Sequence, residues 1–192
     1  GPVAVLENVR PAMLIEIRRL HVTLLVQLDL GGRDSTFHPG QFAGDGAMRP
    51  DLAARLAASA LGNIRLLPLL SESDYQGLLA ASDVGLITQA KGAGDFFFPS
   101  KLLSILASGT PVVSVAEDQS ELAQSVRDGG FGRNVAPGDA ARLATELVGL
   151  ASNPEAVARM RAVTSWVQRY AADQVLPEFE ARLREVAGVA RA

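Results

Sequence analysis

The feature that most constrains this chain is an alternation. Short runs with strand character, Ile64–Leu67, Val84–Ile87, Val112–Val115 and Phe131–Val135, are each followed by a stretch with apolar residues at helical spacing. Strands that alternate with helices at this spacing favour a parallel sheet covered by helices on both faces. The predicted fold class is therefore α/β, with the last helices packed alongside. Ligands of such sheets bind beyond the carboxyl ends of the strands. Four loops are expected to meet there: Gly44–Gly46, Pro68–Ser73, Thr88–Phe98 and the turn after Val115.

The rest of the chain fits around this frame. Val3 to about Leu20 has a helical pattern, with Leu6, Val9, Met13, Leu14 and Ile17 on one side and Pro11 kinking or splitting it. His21–Leu30 reads as a buried strand, and Phe37–Ala43 as a short strand broken by Pro39-Gly40. Pro50 opens a helix to about Leu61 that buries Leu52, Leu56 and Leu61. Ser71 and Ser73 are plausible caps for a helix through Ala81. Asp118 or Ser120 caps a helix from Glu121 to Arg127, closed by Asp128-Gly129-Gly130. Asp139 caps a helix to Leu150, and Asn153-Pro154 starts one running from Glu155 to Tyr170. Trp166, on that helix, is expected to pack rather than to hold a ligand. A last helix spans Gln174 to Val189.

The stretch with chemical character runs from Lys91 to Glu121. Gly92, Gly94 and Asp95 make a flexible loop, and Pro99 suits the first turn of a helix. Ser100 and Lys101 then lie beside unpaired backbone N–H groups and the positive end of the helix dipole, a place to hold an anion such as phosphate. Leu102, Leu103, Ile105 and Leu106 give this helix its buried side, and Gly109 stops it. Lys91 and Lys101 are the only lysines, against 16 arginines among 18 basic residues, and they flank this one loop. A lysine on its flexible stem serves as a point charge for phosphate. Glu117 and Asp118 read as solvated turn carboxylates.

Composition narrows the classes. A net charge of −3 and a pI near 5.4 disfavour a nucleic-acid binder. The absence of cysteine removes disulfide and thiolate chemistry. His21 and His38 stand without clustered partners, so no metal is expected. No apolar run approaches the ~20 residues a membrane span needs. No signal peptide is read at the start, where Gly1-Pro2 looks like a protease scar, and the expected location is cytoplasmic.

Several segments together resemble a family. AGDGAMRPDL, NIRLLPLLSESDYQGLLAASDVGLI, PSKLLSILASGTPVVSV, SELA and GGFGRNVAPGDAARLATELVGLASNPE are similar, in order and spacing, to the C-terminal, nucleotide-sugar-binding half of retaining glycosyltransferases of the GT-B fold, of the bacterial exopolysaccharide (colanic-acid-type) group. The likeness covers roughly Ala43 to Ala187, about three quarters of the chain. It implies a single Rossmann-like domain over 43–192, preceded by a poorly matching segment, 1–42, that is either trimmed or rebuilt, with His21–Leu30 taking a missing strand's place.

The resemblance also implies roles. Ser100, Lys101 and Lys91 would meet the donor diphosphate, and Gly94, Asp95 and Phe96 would approach the sugar. Gly44, Gly46 and the backbone near Leu69 and Leu70 would face the base and ribose, with Ser104 and Glu121 nearby. The family often has a carboxylate on the ribose where this chain has Ser104, and its partner glutamate falls in Asp95-Phe96-Phe97. Arg33 and Arg49 are candidates for a basic residue on the phosphates from the other side. Phe96-Phe97-Phe98 is expected to give one core and two interface residues.

The implied function is donor binding in a transferase that moves a sugar from a UDP- or GDP-sugar to a glycan or lipid-linked acceptor. No cofactor is implied, and the chain alone is expected to be inactive. The implied partners are the nucleotide-sugar and an N-terminal acceptor-binding domain or partner chain, through which peripheral membrane association would occur. Two other classes stay open: a non-catalytic Rossmann-like interaction module, and half of a nucleotide-sugar epimerase-like protein.

Overall fold

The computed structural model describes residues 23–26, 40–45, 49–59, 64–89, 91–92 and 99–188. Among them, six strands make one sheet: β1 (Thr23–Val26), β2 (Gly40–Ala43), β3 (Ile64–Leu67), β4 (Val84–Thr88), β5 (Val112–Val115) and β6 (Gly132–Val135). The helices are α1 (Arg49–Ala58), α2 (Glu72–Ala81), α3 (Ser100–Ala107), α4 (Glu121–Gly129), α5 (Ala140–Ala151), α6 (Pro154–Ala162), a 3-10 helix (Thr164–Tyr170) and α7 (Ala172–Val186). The expected helix over Val3–Leu20 and the buried Leu61 lie outside the described residues.

The alternation read in the sequence becomes a sheet with helices on both faces. Successive strand side chains point to opposite faces. Val84, Leu86, Val113, Val115 and Val135 meet Leu52 of α1, Leu143 and Leu150 of α5 and Val157 of α6. Ile87 and Val112 meet Leu79 of α2, the buried side of α3 and Leu122 and Val126 of α4 on the other face. Gly85 faces α3 within β4. A Cβ there would stand 2.8 Å from Cγ2 of Ile105, so the missing side chain lets α3 lie close against the sheet.

Strand order is β3-β2-β1-β4-β5-β6. This is the order of doubly wound nucleotide-binding sheets, whose ligand crevice lies where the order reverses. The pairs β2–β3, β4–β5 and β5–β6 are parallel. The exception is β1, which runs antiparallel to both neighbours, with Leu24 opposite Phe42 on one side and Leu86 on the other. The strand expected at His21–Leu30 thus exists over Thr23–Val26 and fills the central slot in reverse. Thr23 pairs with Ala43, so the chain enters the sheet at the edge where the parallel strands end. A parallel strand in that slot would send a βα loop out over the crevice; β1 instead leaves toward the opposite edge.

One expected helix is divided. The stretch from Glu155 to Tyr170 is α6 followed by the 3-10 helix, with the break at Val163. The tighter winding accompanies packing of the 3-10 segment on α3. Trp166 stacks on Phe131 at 5.0 Å and on Tyr170 at 5.1 Å, and Arg169 lies over its ring at 4.7 Å. Trp166 is therefore a packing residue, as expected. α7 starts at Ala172, earlier than expected, carries Pro177 inside it and buries none of its residues. No helix among the described residues is long and apolar enough to cross a membrane.

Candidate functional site

The carboxyl edge of the parallel strands gathers most of the sequence candidates. Gly44 follows β2, Leu69 and Leu70 follow β3, Lys91 and Gly92 follow β4, and Ala116–Ser120 follows β5. Helices α2 to α5 each begin at this edge, because each follows a parallel strand. Gly46, Gly94, Asp95, Phe96, the Phe96-Phe97-Phe98 run and Arg33 lie outside the described residues.

The starts of those four helices differ. Ser71 caps α2 by accepting the Asp74 N–H at 3.2 Å, Ser120 caps α4 by accepting the Ala123 N–H at 3.2 Å, and Asp139 caps α5 by accepting the Arg142 N–H at 2.8 Å. Capping by Ser120 settles the choice between it and Asp118. The α3 cap is Pro99, which the sequence placed in the first turn itself, so the helix starts one position later than expected; Pro99 makes no side-chain cap bond. Its carbonyl accepts the Leu102 N–H at 3.0 Å. Ser100 is thus the first residue of α3 and not its cap.

The side chains of this turn divide cleanly. Leu102, Ile105 and Leu106 are buried and Leu103 is half-buried, which anchors the helix. Ser100 is exposed, Lys101 is half-buried, and Ser104 is half-buried one turn further on. Burial holds the Lys101 ammonium below the ordinary lysine pKa, because partial loss of water disfavours the charged form. A cation placed there gains more from an anion than one in open solvent.

The other candidates are brought to the same edge with different prospects. Lys91 is exposed in a turn with Gly92. Glu121 is exposed at the first position of α4, where a carboxylate also suits the helix dipole. Leu69 is 77% exposed and Leu70 half-buried. The Nη1 of Arg49 donates to the carbonyls of Gly44 at 3.1 Å and Leu67 at 2.7 Å. It therefore ties the ends of β2 and β3 together. The buried carboxylate of Glu146 meets Arg133 and Arg142 and belongs to the packing of α5 on β6.

The turn after β5 is where sequence reasoning fell short. The Glu117 Oε2 accepts the Gly92 N–H at 2.7 Å, and Glu117 is half-buried. Asp118 accepts from Nδ2 of Asn134 at 3.0 Å. Glu117 is therefore not simply a solvated turn carboxylate, whereas Asp118 stays largely exposed, as expected. Asn134 also donates to the Ala116 carbonyl at 3.0 Å and accepts from Ser114 Oγ at 2.7 Å. The Gly92 contact joins residues 25 apart in sequence, and no local pattern announces it.

Comparison with known proteins gives this arrangement its class. The glycosyl transferases group 1 family matches residues 40–153, more than half of the chain, and the chain belongs to that family. Over 81 residues it is 37% identical to the colanic acid biosynthesis glycosyl transferase WcaI of Escherichia coli (strain K12), a match covering 42% of this chain and 20% of that protein. Over 103 residues it is 29% identical to glycosyltransferase WbjE of Pseudomonas aeruginosa, covering 54% of this chain and 26% of that protein. The matched parts thus span about a fifth to a quarter of these curated relatives.

Proposed function

We propose that this chain is the donor-binding domain of a glycosyltransferase. In this reading it holds a UDP- or GDP-sugar for transfer to a glycan or lipid-linked acceptor in cytoplasmic polysaccharide biosynthesis. The observation that carries the reading is the start of α3. Among the described residues no side chain caps it, Ser100 is exposed and Lys101 holds a half-buried ammonium. Membership of the group 1 transferases supports the same ligand class.

The diphosphate would sit on the first N–H groups of α3, with Lys101 and Ser100 beside it and Lys91 approaching from the β4 side. The departing diphosphate gains charge as the glycosidic bond breaks, and a fixed dipole and ammonium stabilise that charge without reorganising. The remaining contribution is positioning of the sugar against the acceptor. Ser104 offers one hydroxyl to the ribose in place of a carboxylate. No metal is invoked. Acceptor contacts come from an N-terminal acceptor-binding domain or partner chain, so the chain by itself binds donor and does not turn it over.

Calorimetric titration with UDP and GDP, with Lys101→Ala alongside, tests this. Saturable binding of one nucleotide that weakens at least several-fold in the variant is the expected result. A folded wild-type chain that binds neither nucleotide sinks the reading.

A further inference from the structure

We propose that Glu117 is a positioning residue for the diphosphate site. Its carboxylate fixes the turn that carries Lys91 and so sets where that ammonium stands at the carboxyl edge of the sheet. The proposal rests on the donor-binding reading for its ligand, but its geometry stands apart from that reading.

The two loops concerned leave adjacent parallel strands in register. Thr88 of β4 pairs with Val115 of β5, and Gln89 N–H continues the ladder to the Val115 carbonyl at 2.9 Å. Beyond that point the strand ladder ends, and among the described residues the loops are linked by the Glu117 carboxylate on the Gly92 N–H at 2.7 Å. A carboxylate bonded to an amide is a charge-assisted hydrogen bond, shorter and stronger than a neutral one.

Gly92 has φ +78, and a Cβ there would meet nothing within 4 Å. Glycine is needed for its conformation, then, and not for space. The left-handed turn aims the Gly92 N–H toward the β5 side, with Lys91 directly before it.

The acceptor side is held firmly. Ala116 N–H bonds the Val135 carbonyl at 3.1 Å, and Ser120 N–H bonds the Glu117 carbonyl at 2.9 Å. Asn134 holds the Ala116 carbonyl and Asp118, and Arg127 Nη2 donates to the Asp118 carbonyl at 2.6 Å. Glu117 therefore reaches out from a braced turn to hold a glycine turn that lacks a comparable set of bonds among the described residues. An unheld Lys91 would spread over many positions, and ordering it on binding would cost affinity.

The test uses wild type, Glu117→Ala and Glu117→Gln, each titrated with UDP and GDP, with amide hydrogen exchange at Gly92 followed by NMR. Glutamine keeps an acceptor oxygen at the same reach; alanine does not. Loss of one such hydrogen bond should weaken nucleotide binding about three- to tenfold in Glu117→Ala. Glu117→Gln keeps a neutral, weaker bond and should lose clearly less affinity than Glu117→Ala, and Gly92 exchange should speed up most in the alanine variant. Binding in Glu117→Ala equal to or tighter than wild type overturns the proposal. So does an equal loss in both variants, which would make the charge itself the active feature. If wild type binds neither nucleotide, the donor reading fails and takes the ligand half of the proposal with it. Gly92 exchange then decides the tether by itself, and unchanged exchange in Glu117→Ala overturns that too.

Discussion

Two neighbouring loops leave adjacent strands of this sheet, and their described residues are held in different ways. The β5–α4 turn has its polar groups satisfied by the protein: Ser120 caps the helix, Asn134 makes three hydrogen bonds at the turn's base and Arg127 closes over Asp118. The β4–α3 connection ends on a proline that contributes no side-chain cap, with an exposed serine and a half-buried lysine after it. One turn is braced by the strand and helix beside it, and the other, among the described residues, leads into a helix whose cap makes no side-chain bond. Helix starts are ordinarily capped because uncapped N–H groups cost stability. The donor-binding proposal rests on this start, where the cap residue makes no side-chain bond and a half-buried lysine follows.

The comparison makes graded predictions. The largest effect should follow Lys101→Ala, since a charge-assisted bond to phosphate is worth about 1.5–3 kcal/mol, or roughly ten- to a hundredfold in affinity. Calorimetry reads this, and an unchanged Kd would break the contrast at its centre. Asn134→Ala should instead strike the braced turn. It removes a side chain with three hydrogen bonds and should lower stability by about 1–2 kcal/mol in chemical denaturation.

A paired serine test is sharper. Ser120→Ala removes a cap and should cost about 1 kcal/mol of stability with nucleotide affinity unchanged. Ser100→Ala should do the reverse, moving stability by under about 0.5 kcal/mol while weakening binding a few-fold. If both serines affect stability alike, the two helix starts are not different in kind.

The smallest effect concerns the lysine's own burden. Burial lowers its pKa in the folded protein, so the protonated form carries a penalty that is present at neutral pH. That penalty is relieved as pH rises through the lowered pKa toward the ordinary lysine value. Lys101→Met should therefore stabilise the nucleotide-free protein slightly, by at most about 1 kcal/mol because water still reaches part of the side chain. The gap between variant and wild type should shrink in denaturation melts at alkaline pH. A gap that widens instead would mean the ammonium is net stabilising where it stands.

Much of this was legible in the sequence because it is local. Strand runs, helix starts and the caps at Ser71, Ser120, Asp139 and Asn153 depend on residues three or four apart, which a linear reading can see. The place of Ser100 and Lys101 in the first turn of a helix that follows a strand was visible for the same reason. Tertiary structure decided the rest. Direction within a sheet is set by which edges meet in space, so an apolar run such as Thr23–Val26 reads the same whether parallel or reversed. The helix break at Val163 accompanies Trp166 reaching Phe131, 35 positions away in sequence. The hold of Glu117 on Gly92 and that of Arg49 on the Leu67 carbonyl are likewise contacts between distant segments. The sequence by itself determined which elements form and which helix start carries the charge; folding alone determined which loops brace one another around it, because a hydrogen bond across 25 residues exists only once β4 and β5 have paired.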